Sequence, residues 1–109
     1  AKAEAEKQQK LNSASTSQKN ALAKAKDYLG YTAFSYKGLI EQLEYEGFSS
    51  EDATYGADNC GADWAAQADK KAADYMGYSS FSRASLIEQL EYEGFTQEQA
   101  EHGASSVGL

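Results

Sequence analysis

The ten residues LIEQLEYEGF occupy positions 39–48, and the same ten residues recur unchanged at positions 86–95. The same offset of 47 residues, from Leu39 to Leu86, aligns Gly56-Ala57 with Gly103-Ala104. Such self-similarity at a fixed offset indicates an internal duplication. We therefore predict three segments: a tether over residues 1–19, a first repeat over residues 20–62 and a second repeat over residues 63–109.

The first helix of each repeat is predicted from apolar residues at helical spacing. In the first repeat these residues precede Gly30, where we expect the helix to end. They are Ala21, Ala25, Tyr28 and Leu29. The corresponding helix of the second repeat extends back to Trp64, which lies four residues before Ala68 on the same stripe.

The second and third helices follow from their capping signals. Ser35 and Ser82 are suited to be N-caps of the second helices, and a glycine ends each LIEQLEYEG segment. Segments 49–52 and 96–99 match the capping box that opens a third helix. The third helices carry small residues at helical spacing, which permits close helix crossing. About three residues separate the second and third helices, a link typical of a helix-turn-helix unit.

The fold class that follows is all-α, with two tandem helix-turn-helix repeats of about three helices each. No run of β-branched residues alternates with polar ones, so no strand is predicted. The preceding segment is rich in Ala, Lys, Gln and Ser without apolar periodicity, which indicates a flexible tether.

Acidic charge is concentrated in the two repeats. The chain of 109 residues has a formal net charge of −7, and residues 21–109 carry six basic and 15 acidic side chains, a net charge of −9. A field of that sign repels nucleic acid and anionic lipid and attracts basic polymers. Apolar runs of two or three residues exclude a transmembrane helix, which requires about 20.

Three residues that occur once each in the chain have structural interpretations. Cys60 cannot form an intramolecular disulfide, and its counterpart in the second repeat is Val107, so we expect a small apolar core position. His102 corresponds to Tyr55 and is interpreted as a surface or half-buried filler. Trp64 is expected to be a plug between the two repeats.

The candidate functional residues are acidic side chains on and after the second helices, with one tyrosine in each repeat. On a helical wheel of the first repeat, Glu41 and Tyr45 point roughly opposite the apolar face, and Glu44 and Glu46 flank it. Together they form either a solvated surface or a partner-binding face. The duplicate has kept them, which favours the second interpretation. They are Glu41, Glu44, Tyr45 and Glu46 in the first repeat and Glu88, Glu91, Tyr92 and Glu93 in the second.

Paired carboxylates also occur in glycosidases and metal sites, but these carboxylates lack a predicted pocket. No EF-hand spacing occurs between Asp52 and Asp63, and the chain has one His and one Cys. We therefore predict no enzyme, no metal site and no cofactor.

A helix-turn-helix unit also raises the alternative of a nucleic-acid-binding regulator. The third helix of the first repeat, residues 50–60, has three acids and no Lys or Arg, and its counterpart in the second repeat has no Lys or Arg either. Since phosphate contacts require cations, we predict that the chain binds no nucleic acid.

The duplicated unit resembles the Ltp-type host cell surface-exposed lipoproteins, superinfection-exclusion proteins of temperate phages of Gram-positive hosts. Residues that carry the resemblance are the repeated LIEQLEYEGF, Phe34-Ser35 and Tyr55-Gly56. The resemblance covers about residues 21–109. It implies a lipid-anchored protein on the extracellular face of the cell membrane that blocks entry of phage DNA by engaging the phage tape-measure protein.

The charge of the repeats suits a basic, helical segment of that partner. The family is anchored through a lipid-modified Cys, and no Cys precedes Ala1, so we expect the sequence to begin after the anchor. The membrane is therefore contacted only through that N-terminal anchor, and we expect a monomer. A structural cell-envelope module without a phage partner is a further alternative.

Overall fold

The computed structural model describes residues 13–109, which contain six α-helices and no β-strand. The helices are α1 (Thr16–Tyr31), α2 (Tyr36–Tyr45), α3 (Ser50–Asn59), α4 (Trp64–Met76), α5 (Arg83–Tyr92) and α6 (Gln97–Ser106). Three helices fall in each repeat, which confirms the predicted all-α fold. Residues 1–12 of the predicted tether lie outside the described residues, and its last four residues form the start of α1.

Each described helix begins after a side chain that accepts a hydrogen bond from a backbone N–H of the first turn. These N-caps are Ser15, Ser35, Ser49, Asp63, Ser82 and Thr96. A cap of this kind stabilises a helix by about 0.5–2 kcal/mol. The predicted capping box is complete at Thr96, whereas at Ser49 only the serine side chain takes part.

Glycines end α2 and α5, as predicted, but they do not end α1. Gly47 and Gly94 have positive φ angles of 105° and 107°. The next residue in each copy returns its N–H to the last turn: Phe48 to Leu43 O and Phe95 to Leu90 O, both at 3.2 Å. The prediction of a stop at Gly30 is wrong by one residue. Gly30 does not have a positive φ, and α1 continues to Tyr31.

The apolar residues form two separate cores, one in each repeat. Leu39 and Leu43 of α2 are fully buried in the first core, and Leu86 and Leu90 of α5 in the second. Around them α1 packs along α3, and α4 packs along α6. None of the described helices is long and apolar enough to span a membrane.

Small residues allow the close approach of α1 to α3 and of α4 to α6. A Cβ atom added at Gly56 would lie 2.9 Å from the Ala21 carbonyl oxygen, and one added at Gly103 would lie 2.9 Å from the Ala68 carbonyl oxygen. The predicted small-residue face of the third helix is thus confirmed. α2 packs against α3, and α5 packs against α6, so the outer surfaces of α2 and α5 are left to carry the candidate residues.

Candidate partner-binding site

The candidate residues lie mostly on the solvent-facing side of α2 and α5. Tyr45 and Tyr92 are each 86% exposed, although both follow a buried leucine by two residues. Glu93 is half-buried. The remaining candidates are exposed: Glu41, Glu44, Glu46, Glu88 and Glu91.

The two repeats are joined by hydrogen bonds from the segment between α1 and α2. The Ser35 hydroxyl donates to the Glu93 carbonyl oxygen at 2.7 Å. The Phe34 N–H donates to the Gln67 Oε1 atom of α4 at 3.0 Å. Ser35 and Gln67 are both buried, so these bonds satisfy polar groups that have little access to water. The joint therefore fixes the end of α5 against the start of α2.

Trp64 lies at the same joint. It is the first residue of α4, yet it packs against the core of the first repeat. Its ring makes an edge contact with Tyr36, with the ring centroids 5.5 Å apart. Trp64 is the plug between repeats that the sequence predicts.

Two glycines permit the backbones to meet there. A Cβ atom at Gly94 would lie 2.6 Å from Ser35 Oγ and 3.2 Å from Lys37 Cβ. One at Gly38 would lie 3.4 Å from the Glu93 carbonyl oxygen of the other repeat. Gly47, which has the same sequence context and backbone conformation as Gly94, has nothing within 4 Å of such an atom. Gly47 therefore only ends its helix, whereas the equivalent Gly94 both ends its helix and contacts the other repeat.

A groove of about 430 Å³ lies at this joint, and both repeats contribute to it. We call it the inter-repeat groove. Four of the eight candidate residues line it, namely Glu41, Tyr45, Tyr92 and Glu93. The other lining residues are Thr32, Ala33, Phe34, Ser35, Gly38, Gln42 and Lys71. The remaining candidates, Glu44, Glu46, Glu88 and Glu91, do not line it.

The joint gives equivalent residues of the two repeats different surroundings. Glu41 lines the inter-repeat groove, whereas Glu88, its counterpart in an identical sequence, does not. Lys71 lines the groove, and its counterpart Lys24 does not. Sequence reasoning missed Lys71, because nothing in its local sequence shows that α4 reaches the other repeat.

Two candidate carboxylates also hold their own repeat together. The Tyr28 hydroxyl donates to Glu46, and the Tyr75 hydroxyl donates to Glu93. The hydrogen bond to Glu46 raises the pKa of Tyr28. Burial, followed by the hydrogen bond to Glu93, raises the pKa of Tyr75 to about 12. Each bond ties the end of the second helix to the first helix of the same repeat.

The other candidate acids differ in whether they form hydrogen bonds within the chain. Glu44 accepts a hydrogen bond of 2.6 Å from the Ser50 hydroxyl at the start of α3. By contrast, Glu41, Glu88 and Glu91 take part in no hydrogen bond or ion pair with the described part of the chain. Their charges are therefore available to a partner.

His102 and Cys60, which the sequence singled out, both make contacts within residues 13–109. Residues 13–109 include no group of three or more His, Cys, Asp or Glu side chains that could hold a metal ion. His102 is exposed and lies 2.7 Å from an Asp69 carboxylate oxygen, which leaves it paired on the surface. Cys60 is half-buried, and its thiol donates to the Ala57 carbonyl oxygen.

Comparisons with known proteins agree with this two-repeat arrangement. A family model described as host cell surface-exposed lipoprotein matches residues 16–60 and again residues 63–107. Among solved structures, the chain is similar to that of Ltp, a superinfection exclusion protein from the Streptococcus thermophilus temperate phage TP-J34. The identity is 30% and the TM-score 0.78, over 84% of this chain and 96% of that one. A comparison with curated proteins finds no match.

Proposed function

The chain belongs to the family of host cell surface-exposed lipoproteins, and we propose that it acts in superinfection exclusion. In this role it is a non-enzymatic binding module that blocks the injection of DNA by an incoming phage. The observation that carries the proposal is the similarity, across both repeats, to the structure of a superinfection exclusion protein.

The proposed place of action is the extracellular face of the cell membrane. The family description puts its members on the host cell surface. We propose that a lipid anchor N-terminal to the tether holds the protein there, so that the two repeats stand outside the bilayer. An incoming phage then meets the repeats before its DNA crosses the membrane.

The proposed partner is a basic, helical segment of the phage tape-measure protein. Residues 21–109 carry a net charge of −9, and Glu41, Glu88 and Glu91 are not engaged elsewhere in the described part of the chain. Opposite charge speeds the encounter of two proteins and selects against acidic partners. Such steering weakens as salt is added, because the Debye length falls to about 10 Å at 0.1 M ionic strength.

The exposed tyrosines supply the second part of the proposed contact. Tyr45 and Tyr92 offer large rings that lose little conformational freedom on binding, and tyrosine is enriched at binding hot spots. Both rings line the inter-repeat groove, whereas the acids outside the groove lie on both repeats, so a long partner can contact both repeats at once. Avidity from two linked contacts exceeds either contact alone when the spacing allows both.

The test is the amount of phage DNA that reaches the cytoplasm after normal adsorption. Cells that display residues 1–109 on a lipid anchor are compared with cells that display a lipid-anchored unrelated helical protein. Reduced DNA entry with unchanged adsorption supports injection blocking. Equal entry for several phages of the same host would contradict the proposed function.

A further inference from the structure

We propose that the inter-repeat groove is the receptor for a lysine or arginine side chain of a helical partner segment. This inference rests on the proposed function, and it narrows the proposed binding site from the whole acidic surface to the inter-repeat groove. The exposed acids of α2 and α5 occur in both repeats, whereas the groove lies where the first repeat meets the second.

The size and opening of the groove suit a side chain presented by a protein. Its volume of about 430 Å³ lies within the range of about 300–1,000 Å³ that is usual for ligand pockets. Phe34 and Ser35, which line it, are hydrogen-bonded to Gln67 and to the Glu93 carbonyl oxygen of the second repeat, so this part of its wall is held in place. Tyr45 and Tyr92 line it but remain 86% exposed, so their rings are accessible to a partner.

The chemistry of the lining selects a cation. Glu41, whose carboxylate has no hydrogen bond or ion pair with the described residues, lines the groove together with two tyrosine rings, one from each repeat. Glu93 also lines it, and its carboxylate accepts a hydrogen bond from the Tyr75 hydroxyl. An ammonium or guanidinium group is attracted to carboxylates and also to the face of an aromatic ring within about 6 Å. The aliphatic part of a lysine or arginine has Phe34 and Ala33 to pack against.

The positive charge of Lys71 opposes the binding of a cation in the groove. It lines the groove, is half-buried and forms no ion pair with residues 13–109. An incoming cation therefore meets the Lys71 ammonium as well as the Glu41 carboxylate. The groove binds a cation more tightly when that ammonium is removed, which gives a variant with increased affinity.

The test uses matched pairs of variants and a peptide of stated composition. The probe is a fluorescent helical peptide of roughly 20 residues built from alanine and lysine, long enough to be helical in water. Glu41→Lys is compared with Glu88→Lys, since both make the same charge change in the same local sequence. Lys71→Gln is compared with Lys24→Gln, which makes the same charge change at the equivalent position of the first repeat. Circular dichroism confirms that all four variants remain helical.

The expected peptide affinities distinguish binding in the groove from a general attraction to the acidic surface. Glu41→Lys weakens peptide binding about tenfold, and Glu88→Lys about threefold or less, because the second change alters only the overall field. Lys71→Gln strengthens binding about threefold, and Lys24→Gln leaves it nearly unchanged. Equal losses for the two glutamate variants, or no gain from Lys71→Gln, would overturn the groove proposal.

Phage DNA entry distinguishes failure of the groove proposal from failure of the proposed function. In cells that display the unaltered protein, DNA entry falls, and it recovers more with Glu41→Lys than with Glu88→Lys. If the unaltered protein blocks entry and the two variants lose the block equally, the groove is wrong and the function stands. If the unaltered protein does not block entry, the proposed function itself is wrong, and with it the groove proposal.

Discussion

Replacing Gly94 by alanine should loosen the joint between the repeats, whereas the same replacement at Gly47 should not. Both glycines have nearly equal positive φ angles and follow the same sequence, LIEQLEYE. Alanine in such a backbone conformation costs about 1–2 kcal/mol in either repeat. The two variants therefore share the cost of backbone strain.

Gly94→Ala carries an additional cost at the joint. The new Cβ atom would lie 2.6 Å from Ser35 Oγ, so the serine must move and its hydrogen bond to the Glu93 carbonyl oxygen is lost. A hydrogen bond of this kind contributes about 0.5–1.5 kcal/mol, and a buried group left unpaired costs about 1–3 kcal/mol. We expect Gly94→Ala to be destabilised by about 1–2 kcal/mol more than Gly47→Ala.

Thermal unfolding and amide NMR measure this difference. An extra 1–2 kcal/mol lowers Tm by roughly 5–10 °C for a domain of this size. Chemical shifts of Phe34 and Gln67 should change in Gly94→Ala and stay constant in Gly47→Ala, because these residues form the neighbouring bond of the joint. Equal Tm values with unchanged shifts at Phe34 and Gln67 would refute the described joint.

Three further predictions concern packing, pH and nucleic acid. Gly56→Ala should lower the free energy of unfolding by about 1–2 kcal/mol, because the new Cβ atom would meet the Ala21 carbonyl group. Gly30→Ala should raise the free energy of unfolding by about 0.5–1 kcal/mol, because Gly30 is helical and has open space around it. Urea titration of the two variants measures both changes. The pKa of Tyr75 is raised from 10.0 to about 12, so the stability it contributes is complete below pH 10 and is lost as pH rises through 12. Tyr75→Phe should remove that part of the pH dependence, as measured by unfolding at several alkaline pH values. In a gel shift at low salt the protein should not retard DNA, and clear retardation would revive the regulator alternative.

The helices within each repeat could be predicted from the sequence. Ser35 and Ser82 act as N-caps, and Gly47 ends α2, as local sequence rules predict. The predicted helix end at Gly30 is wrong, because a glycine favours a helix end without requiring one. These features depend on neighbours within a few residues, which the sequence shows directly.

The inter-repeat groove could not be predicted, because it depends on how one repeat meets the other. The sequence around Glu41 and Glu88 is identical, and only the packing of the two repeats gives them different surroundings. A signal was present in the positions where the copies differ. Tyr36, Lys37 and Gly38 become Arg83, Ala84 and Ser85, and all three first-repeat residues lie at the joint.

The acidic repeats are proposed to bind the phage protein whose passage they obstruct. The most direct measurement is the binding of purified residues 1–109 to the tape-measure protein of a phage whose DNA entry they block, over a range of salt concentrations. We predict saturable binding that weakens as salt rises and is lost when Glu41, Glu44, Glu88 and Glu91 are all replaced by Lys. Absence of binding at low salt, or binding that the fourfold variant retains, would contradict the account.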